Sequence, residues 1–292
     1  MAQGKKLPSH VIGPGRLGSA LAANLHEAGW KVESLIVRPG KRMSVRVSKL
    51  ARTLGAKVFR LGQAAVPPGL VWITVPDDAI AYVASELAER QSWDGQVVFH
   101  CSGALTSEVL EPLRAKGAKV AAVHPAMTFA ANTVPKLDKV PFGIEGDVEA
   151  VRLAKRIVRE LGGVPVEIRR ADKVLYHAFG TFASPMVIAL MAAMEEVGTA
   201  AGFERKKLRA FAGPLLRQTL ENYLEQGGAA AFTGPFVRGD IAVITRHLKA
   251  LEELPLVREL YQELARVAAE KLPVKNQRAM QKVVGRRNSR RS

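Results

Sequence analysis

Short apolar runs alternate with amphipathic stretches over the first 170 residues. The apolar runs predict strands at 9–12, 32–37, 57–59, 70–75, 96–100, 120–123, 142–145 and 164–168. Between them, apolar positions at helical spacing predict helices at 17–28, 43–54, 78–90, 107–116 and 148–161. This strand–helix rhythm predicts a doubly wound, mostly parallel α/β sheet.

From residue 171 the pattern predicts helices only, at 172–201, 204–225, 241–251 and 255–271, the first of them kinked at Pro185. The stretch 178–194 is apolar, but it is too short and too polar for a membrane span, so we expect a buried helix. The predicted organisation is therefore an α/β domain at 1–170, an all-α domain at 171–274 and a tail at 275–292.

The chain is basic, with a formal net charge of +16. The tail contains seven Lys and Arg residues and no acid, which predicts a disordered segment or a binding arm. Positive charge suits an anionic cofactor or substrate. Because aromatic residues make up 6% of the chain and do not interleave with the basic ones, we do not expect a nucleic-acid partner.

A single cysteine, Cys101, excludes a disulfide framework and a cysteine metal cluster. It follows an apolar run, so we expect a buried, inert thiol. With no secretory signal at residues 1–8, these features favour a cytoplasmic protein, and we expect no metal and no membrane association.

The first predicted strand is followed by Gly13-Pro14-Gly15-Arg16-Leu17-Gly18, which fits the pattern G-x-G-x-x-G. In such loops Gly13 would permit a tight turn, Gly15 would let a pyrophosphate approach the backbone, and Gly18 would pack the helix on the sheet. Arg16 and Leu17 would offer free backbone amides to the phosphates. A glycine-rich turn without a ligand is the alternative.

The end of the second strand predicts which dinucleotide binds. NAD sites usually have an acid there, whereas this chain has Arg38, Lys41 and Arg42 and no acid between residues 34 and 54. Since a guanidinium can bind a 2′-phosphate, these residues favour NADP. A solvated basic loop would have the same composition.

Three further segments end strands at the edge where ligands bind in open α/β sheets. Val75 and Pro76 are predicted to line the nicotinamide ribose, and Ser102 and Gly103 to lie near the nicotinamide. His124 can donate to a substrate oxygen, or it can make a structural bond in the turn before Pro125.

The first helix of the all-α region carries a polar stripe. Lys173 and His177 are four residues apart and share one face, which Thr181 and Ser184 continue. We predict catalytic roles for Lys173, His177 and His124, and substrate binding by Thr181 and Ser184. The alternatives are a solvated lysine and a hydrogen-bonded core histidine.

The segment 233–240 is rich in Gly and Pro and contains Thr233 and Arg238. We predict that these two side chains bind substrate, with Arg238 holding an anion. A helix-capping turn with a surface arginine is the alternative.

Together these motifs give the chain a family resemblance over residues 8–272. It resembles Rossmann-like proteins of the domain of unknown function 2520, related to deazaflavin-dependent NADP oxidoreductases, pyrroline-5-carboxylate reductases and the 6-phosphogluconate dehydrogenase-like superfamily. The resemblance rests on residues 13–18, 100–104, 124–129, 173–177 and 233–248. One departure is Pro185, where the resemblance implies an asparagine.

The resemblance implies a Rossmann domain, a 6-phosphogluconate dehydrogenase-like helical domain that dimerises, and NADP-linked redox chemistry. We therefore expect an NADP-dependent oxidoreductase that transfers hydride to or from a small carbonyl or imine substrate in an interdomain cleft, and that forms a homodimer. The alternative is a non-catalytic NADP-binding sensor or partner-binding protein.

Overall fold

A computed structural model describes residues 6–40, 44–130 and 133–285. The strands in these residues form one sheet, and they are β1 Ser9–Ile12, β2 Val32–Val37, β3 Lys57–Arg60, β4 Leu70–Ile73, β5 Val97–His100, β6 Lys119–Pro125, β7 Pro141–Gly146 and β8 Val164–Glu167. Their order is β3-β2-β1-β4-β5-β6-β7-β8, and every neighbouring pair is parallel except the antiparallel β6–β7 pair. The doubly wound, mostly parallel sheet is confirmed.

Helices cover both faces of this sheet, and they are α1 Arg16–Glu27, α2 Val45–Leu54, α3 Asp77–Ala88, α4 Glu111–Arg114 and α5 Val148–Glu160. The helices α1, α2 and α5 pack on one face through residues such as Leu25, Ala51 and Ile157. On the other face, α3 and the segment before α4 pack through Ile80 and Leu110. Because both faces are covered, all four residues of β1 and of β4 are buried.

The remaining described helices are α6 Lys173–Ala183, α7 Pro185–Ala200, α8 Arg205–Gln226, α9 Gly228–Ala231, α10 Pro235–Arg238, α11 Ile241–Ala250, α12 Pro255–Lys271 and α13 Gln277–Val283. The chain divides into two compact units, Met1–Ser184 and Pro185–Ser292, so α6 belongs with the sheet. The predicted kinked helix is two helices that separate at Ser184. Proline restricts the residue before it, and Ser184 leaves the helical region with φ −132° and ψ −79°.

The expectation of a buried helix at 178–194 is wrong for the single chain. No residue of α7 is buried, and Ile188 is 64% exposed. Apolar residues occur on all sides of α7, and the described part of the chain covers none of them completely. Among the described residues, Arg170–Ala200 is the one stretch long and apolar enough to cross a membrane by length and composition.

Part of the tail that was expected to be disordered is ordered. Residues 277–283 form α13, and Met280 and Val284 are fully buried against Ile244, Leu248 and Ala269. Their spacing of four places both apolar side chains on one helix face, which explains why the segment folds despite its charge. The last arginines, at 286, 287, 290 and 291, lie outside the described residues.

The chain between β6 and β7 is tied to α1 by one buried amide. Asn24 Nδ2 donates to the Pro135 carbonyl at 3.0 Å, and Asn24 Oδ1 accepts from the Leu137 amide at 3.1 Å. Nearby on the surface, Lys136 forms an ion pair with Glu27 at 2.6 Å. The chain segment held by these contacts follows β6, the strand that carries His124.

We predict that Asn24→Ala lowers the free energy of unfolding by about 2 kcal/mol, because the buried Leu137 amide and the half-buried Pro135 carbonyl lose their partner. Glu27→Ala removes a contact between the same two segments, but the ion pair is exposed, so it should cost less than about 1 kcal/mol. Urea denaturation of both variants measures the difference. Equal losses would show that the buried amide is not the principal tie.

Candidate functional site

In the glycine loop between β1 and α1, two positions have no room for a side chain. Gly13 has φ +82°, and a Cβ there would lie 2.6 Å from Val75 Cγ1. A Cβ on Gly18 would lie 2.3 Å from Thr74 Oγ1, which in turn donates to the Gly13 carbonyl at 2.8 Å. These contacts hold the start of α1 against the end of β4.

Gly15 differs from its two neighbours in the motif because a Cβ there would meet only the Gly13 carbonyl, at 3.8 Å. Gly15 also precedes the first turn of α1, where no side chain caps the helix. Arg16 and Leu17 therefore begin a helix whose first amides lack intrahelical partners. Open space beside such amides fits a phosphate group.

A cavity of about 730 Å³ adjoins this loop. Five of the predicted cofactor residues line it, namely Gly13, Gly15, Arg38, Val75 and Pro76. Arg16, Leu17 and Gly18 do not line the cavity. The predicted contribution of Arg16 and Leu17 is their backbone amides, and that of Gly18 is the packing of α1 on the sheet. The predicted residues Lys41 and Arg42 lie outside the described residues. The volume is within the range of cofactor sites.

Two further residues lie at or near the start of α2. Ser44 lines the cavity and caps α2, accepting from the Val47 amide at 3.3 Å. Arg46, two residues further on and outside the cavity lining, has a buried Nη2 with no hydrogen-bond partner among the described residues. Together with the exposed Arg38, the start of α2 fits a second anionic group.

The turn after β5 is built by His100 and Ser102. His100 is fully buried; its Nδ1 accepts from the Ser102 amide, and its Nε2 donates to the Thr106 carbonyl, both at 3.2 Å. Ser102 Oγ donates to Asp77 at 2.7 Å and accepts from the amides of Ala104 and Leu105. The Ser102 hydroxyl, predicted to face the cofactor, is therefore engaged in the turn itself.

Gly103 lies between two imidazole rings. A Cβ there would lie 2.5 Å from His177 Cδ2 and 2.9 Å from His124 Nε2. The two rings are edge to face, with centroids 6.1 Å apart. The end of β6 and helix α6 thus bring two of the predicted catalytic residues to one point.

Lys173, the third predicted catalytic residue, is fully buried, so the solvated alternative is wrong. Its Nζ has no hydrogen-bond partner among the described residues. Burial lowers the pKa of the ammonium group, while the charge of Glu145 opposes this effect. Glu145 is already engaged, because it accepts from the Ser107 amide at 2.6 Å and from the Ser107 hydroxyl at 2.8 Å.

The buried lysine affects the histidines around it. Burial, with a smaller contribution from the Lys173 charge, lowers the pKa of His100 to about 3 and that of His124 to about 4. Both rings are therefore neutral at physiological pH. Cys101 is buried as expected, and burial raises the pKa of its thiol to about 12.

The predicted substrate residues lie in different places. Thr181 Oγ1 donates to the His177 carbonyl at 3.0 Å, and Ser184 ends α6. Thr233 and Arg238 belong to the second unit, where Arg238 binds Asp240 at 2.8 Å and is exposed. His177 is exposed rather than a hydrogen-bonded core histidine.

Comparisons with solved structures support the fold. The chain is similar to a candidate NADP oxidoreductase, BF3122 from Bacteroides fragilis, with 22% identity, a TM-score of 0.74 and coverage of 91% of this chain and 99% of that chain. It is also similar to protein TM1727 from Thermotoga maritima, with 25% identity, a TM-score of 0.71 and coverage of 90% and 97%. The reductive aminase from Aspergillus terreus, solved with NADPH and ethyl-5-oxohexanoate, has 15% identity, a TM-score of 0.65 and coverage of 94% and 98%.

No curated protein sequence matches the chain. Two family models do, and they cover separate parts of it. Residues 2–125 match the Rossmann-like domain, and residues 140–268 match the domain of unknown function DUF2520. These two matches agree with the resemblance that the motifs predicted.

Proposed function

We propose that the protein is an NADP(H)-dependent oxidoreductase that transfers hydride to or from a small carbonyl or imine substrate. The observation that carries this proposal is the open space at Gly15, beside the uncapped start of α1 and a cavity of about 730 Å³. Asp77, which follows the lining residue Pro76, is hydrogen-bonded to Ser102 of the turn that bears Gly103. This bond connects the cofactor cavity to the histidine cluster.

The preference for NADP rests on positive charge at the far end of the cavity. Arg38 is exposed at the end of β2, and Arg46 has an unpartnered guanidinium nitrogen near the start of α2. A 2′-phosphate in the cavity would pair with the Arg38 guanidinium beside the first amides of α2. Lys41 and Arg42 remain predicted partners of the same phosphate.

The remaining chemistry belongs to residues of α6 and of the sheet edge. When bound, the nicotinamide would give or take the hydride. His124 is neutral and can donate a hydrogen bond to the substrate, while the exposed His177 can exchange a proton with it. Lys173 is buried, so we propose that it acts through its positive charge, which stabilises negative charge developing on a substrate oxygen.

We also propose that a second copy of the chain covers the exposed apolar surface of α7 and α8. The large side chains on it include Ile188, Leu190, Phe211, Leu215 and Leu224, each more than 40% exposed. An apolar surface of this extent marks an interaction site. Homodimers commonly bury such surfaces, since the same patch on two copies is self-complementary.

The cofactor preference is tested by Arg38→Ser, which should weaken NADPH binding about 10- to 100-fold by removing a charged partner of the 2′-phosphate. NADH binding should hardly change. Fluorescence titration of both nucleotides measures the two affinities. Arg52→Ser, the same change in the last turn of α2, is the control, and a wild-type preference for NADH would contradict the assignment.

The catalytic assignment is tested by His177→Ala and Lys173→Met on a panel of ketones, keto acids and cyclic imines with NADPH. We expect each variant to lower kcat about 100-fold or more while NADPH affinity is kept, as for loss of a proton donor or of charge stabilisation. Lys155→Met, on the outer helix α5, is the matched control. Unchanged kcat in both variants would contradict these roles, and NADPH binding without turnover by the wild type would favour a sensor.

The dimer is tested by Leu215→Glu, which places a charge on the exposed surface of α8. Analytical ultracentrifugation should give twice the 31.6 kDa of one chain for the wild type and a monomer for the variant. Val148→Glu changes an equally exposed residue at the start of α5 and should remain a dimer. A monomeric wild type would overturn the proposal, as would binding of the wild-type monomer to lipid vesicles.

A further inference from the structure

Tyr176 lies beside His124 in a fixed orientation. Its hydroxyl is 2.9 Å from His124 Nδ1, and the two rings meet edge to face with centroids 5.6 Å apart. Gly143 of β7 pairs with His124 across the antiparallel ladder, and a Cβ at Gly143 would lie 2.5 Å from the Tyr176 hydroxyl. The glycine therefore lets the phenol lie directly against the sheet edge.

The direction of the hydrogen bond follows from the donors present. The Tyr176 hydroxyl carries one proton, and its oxygen can also accept. The hydroxyl proton then needs an acceptor, and the one hydrogen-bond partner of this hydroxyl among the described side chains is His124 Nδ1. If Nδ1 carried the ring proton, it would donate to the phenol oxygen, and the hydroxyl proton would be left without an acceptor among the described residues in a half-buried site. Tyr176 thus donates to Nδ1, and Nε2 carries the proton.

The protonated nitrogen lies next to Gly103, whose missing side chain lets the His124 ring approach the turn after β5. A Cβ on Gly103 would lie 2.9 Å from Nε2, so any larger residue would fill the position opposite this N–H. An imidazole that stays neutral and donates from one nitrogen is suited to hold a substrate atom as charge develops on it.

We propose that Tyr176 is a positioning residue that holds His124 in the tautomer protonated at Nε2, so that Nε2 donates to the carbonyl oxygen or imine nitrogen of the substrate over Gly103. The hydrogen bond from His124 to a substrate rests on the proposed function, whereas the tautomer of His124 does not. Burial, with the charges of Lys173 and His177, lowers the pKa of His124 to about 4, which keeps the ring neutral.

The tautomer is measured by nitrogen NMR of the full-length protein labelled with ¹⁵N-histidine, with His124 assigned through His124→Asn. The wild type should show Nε2 protonated and Nδ1 unprotonated between pH 5 and pH 8. Tyr176→Phe should convert His124 to a mixture of tautomers, because Nδ1 loses its donor. It should also lower kcat about tenfold with little change in KM, once a substrate is found.

The second unit offers a matched control. Tyr261 bonds His247 Nδ1 at 3.0 Å with the rings edge to face, so Tyr261→Phe removes the same kind of bond elsewhere. It should leave the His124 signals unchanged. A wild-type ring protonated at Nδ1, or an unchanged His124 tautomer in Tyr176→Phe, would overturn the proposal. The wild-type spectrum decides even if Tyr176→Phe does not fold, and failure to bind NADPH would count against the proposed function alone.

Discussion

The close packing of α6 against two glycines at the sheet edge is the constraint on which the candidate site depends. Gly103 admits the rings of His124 and His177, and Gly143 admits the phenol of Tyr176. With a side chain at either position, α6 would have to move away from the sheet. Lys173 would then lose the burial that makes its charge effective, because a charge acts more strongly in a poorly solvated site.

The same packing explains the electrostatics of the site. Lys173 is enclosed without a hydrogen-bond partner among the described residues, and the nearby carboxylates of Asp77 and Glu145 already accept from Ser102 and Ser107. A buried ammonium group in this position is costly for stability. Such costs are typical of functional sites, where a charge is kept available for a ligand. Neutral histidines beside it avoid a further accumulation of positive charge.

Much of this architecture could be predicted from sequence because its signals are local. Residues 13–18 specify a strand, a turn and a helix start within a few positions, and Lys173 and His177 share a face by helical spacing alone. The pairing of Gly143 with His124 could not be predicted, since it depends on an antiparallel strand added to a parallel sheet. Tyr176 belongs to a sequence motif, but the motif does not indicate its role. That role depends on its contact with His124, which the structure shows. The exposure of α7 and the folding of α13 also depend on tertiary packing, which periodicity does not fix.

We propose that the glycine loop, the cavity and the histidine cluster bind one dinucleotide. A crystal structure of the protein grown with NADPH tests it most directly. We expect the pyrophosphate at Gly15 and the start of α1, with the nicotinamide carbon C4 beside Gly103 and the rings of His124 and His177. A nicotinamide bound away from these rings, or a nucleotide that does not contact the glycine loop, would contradict it.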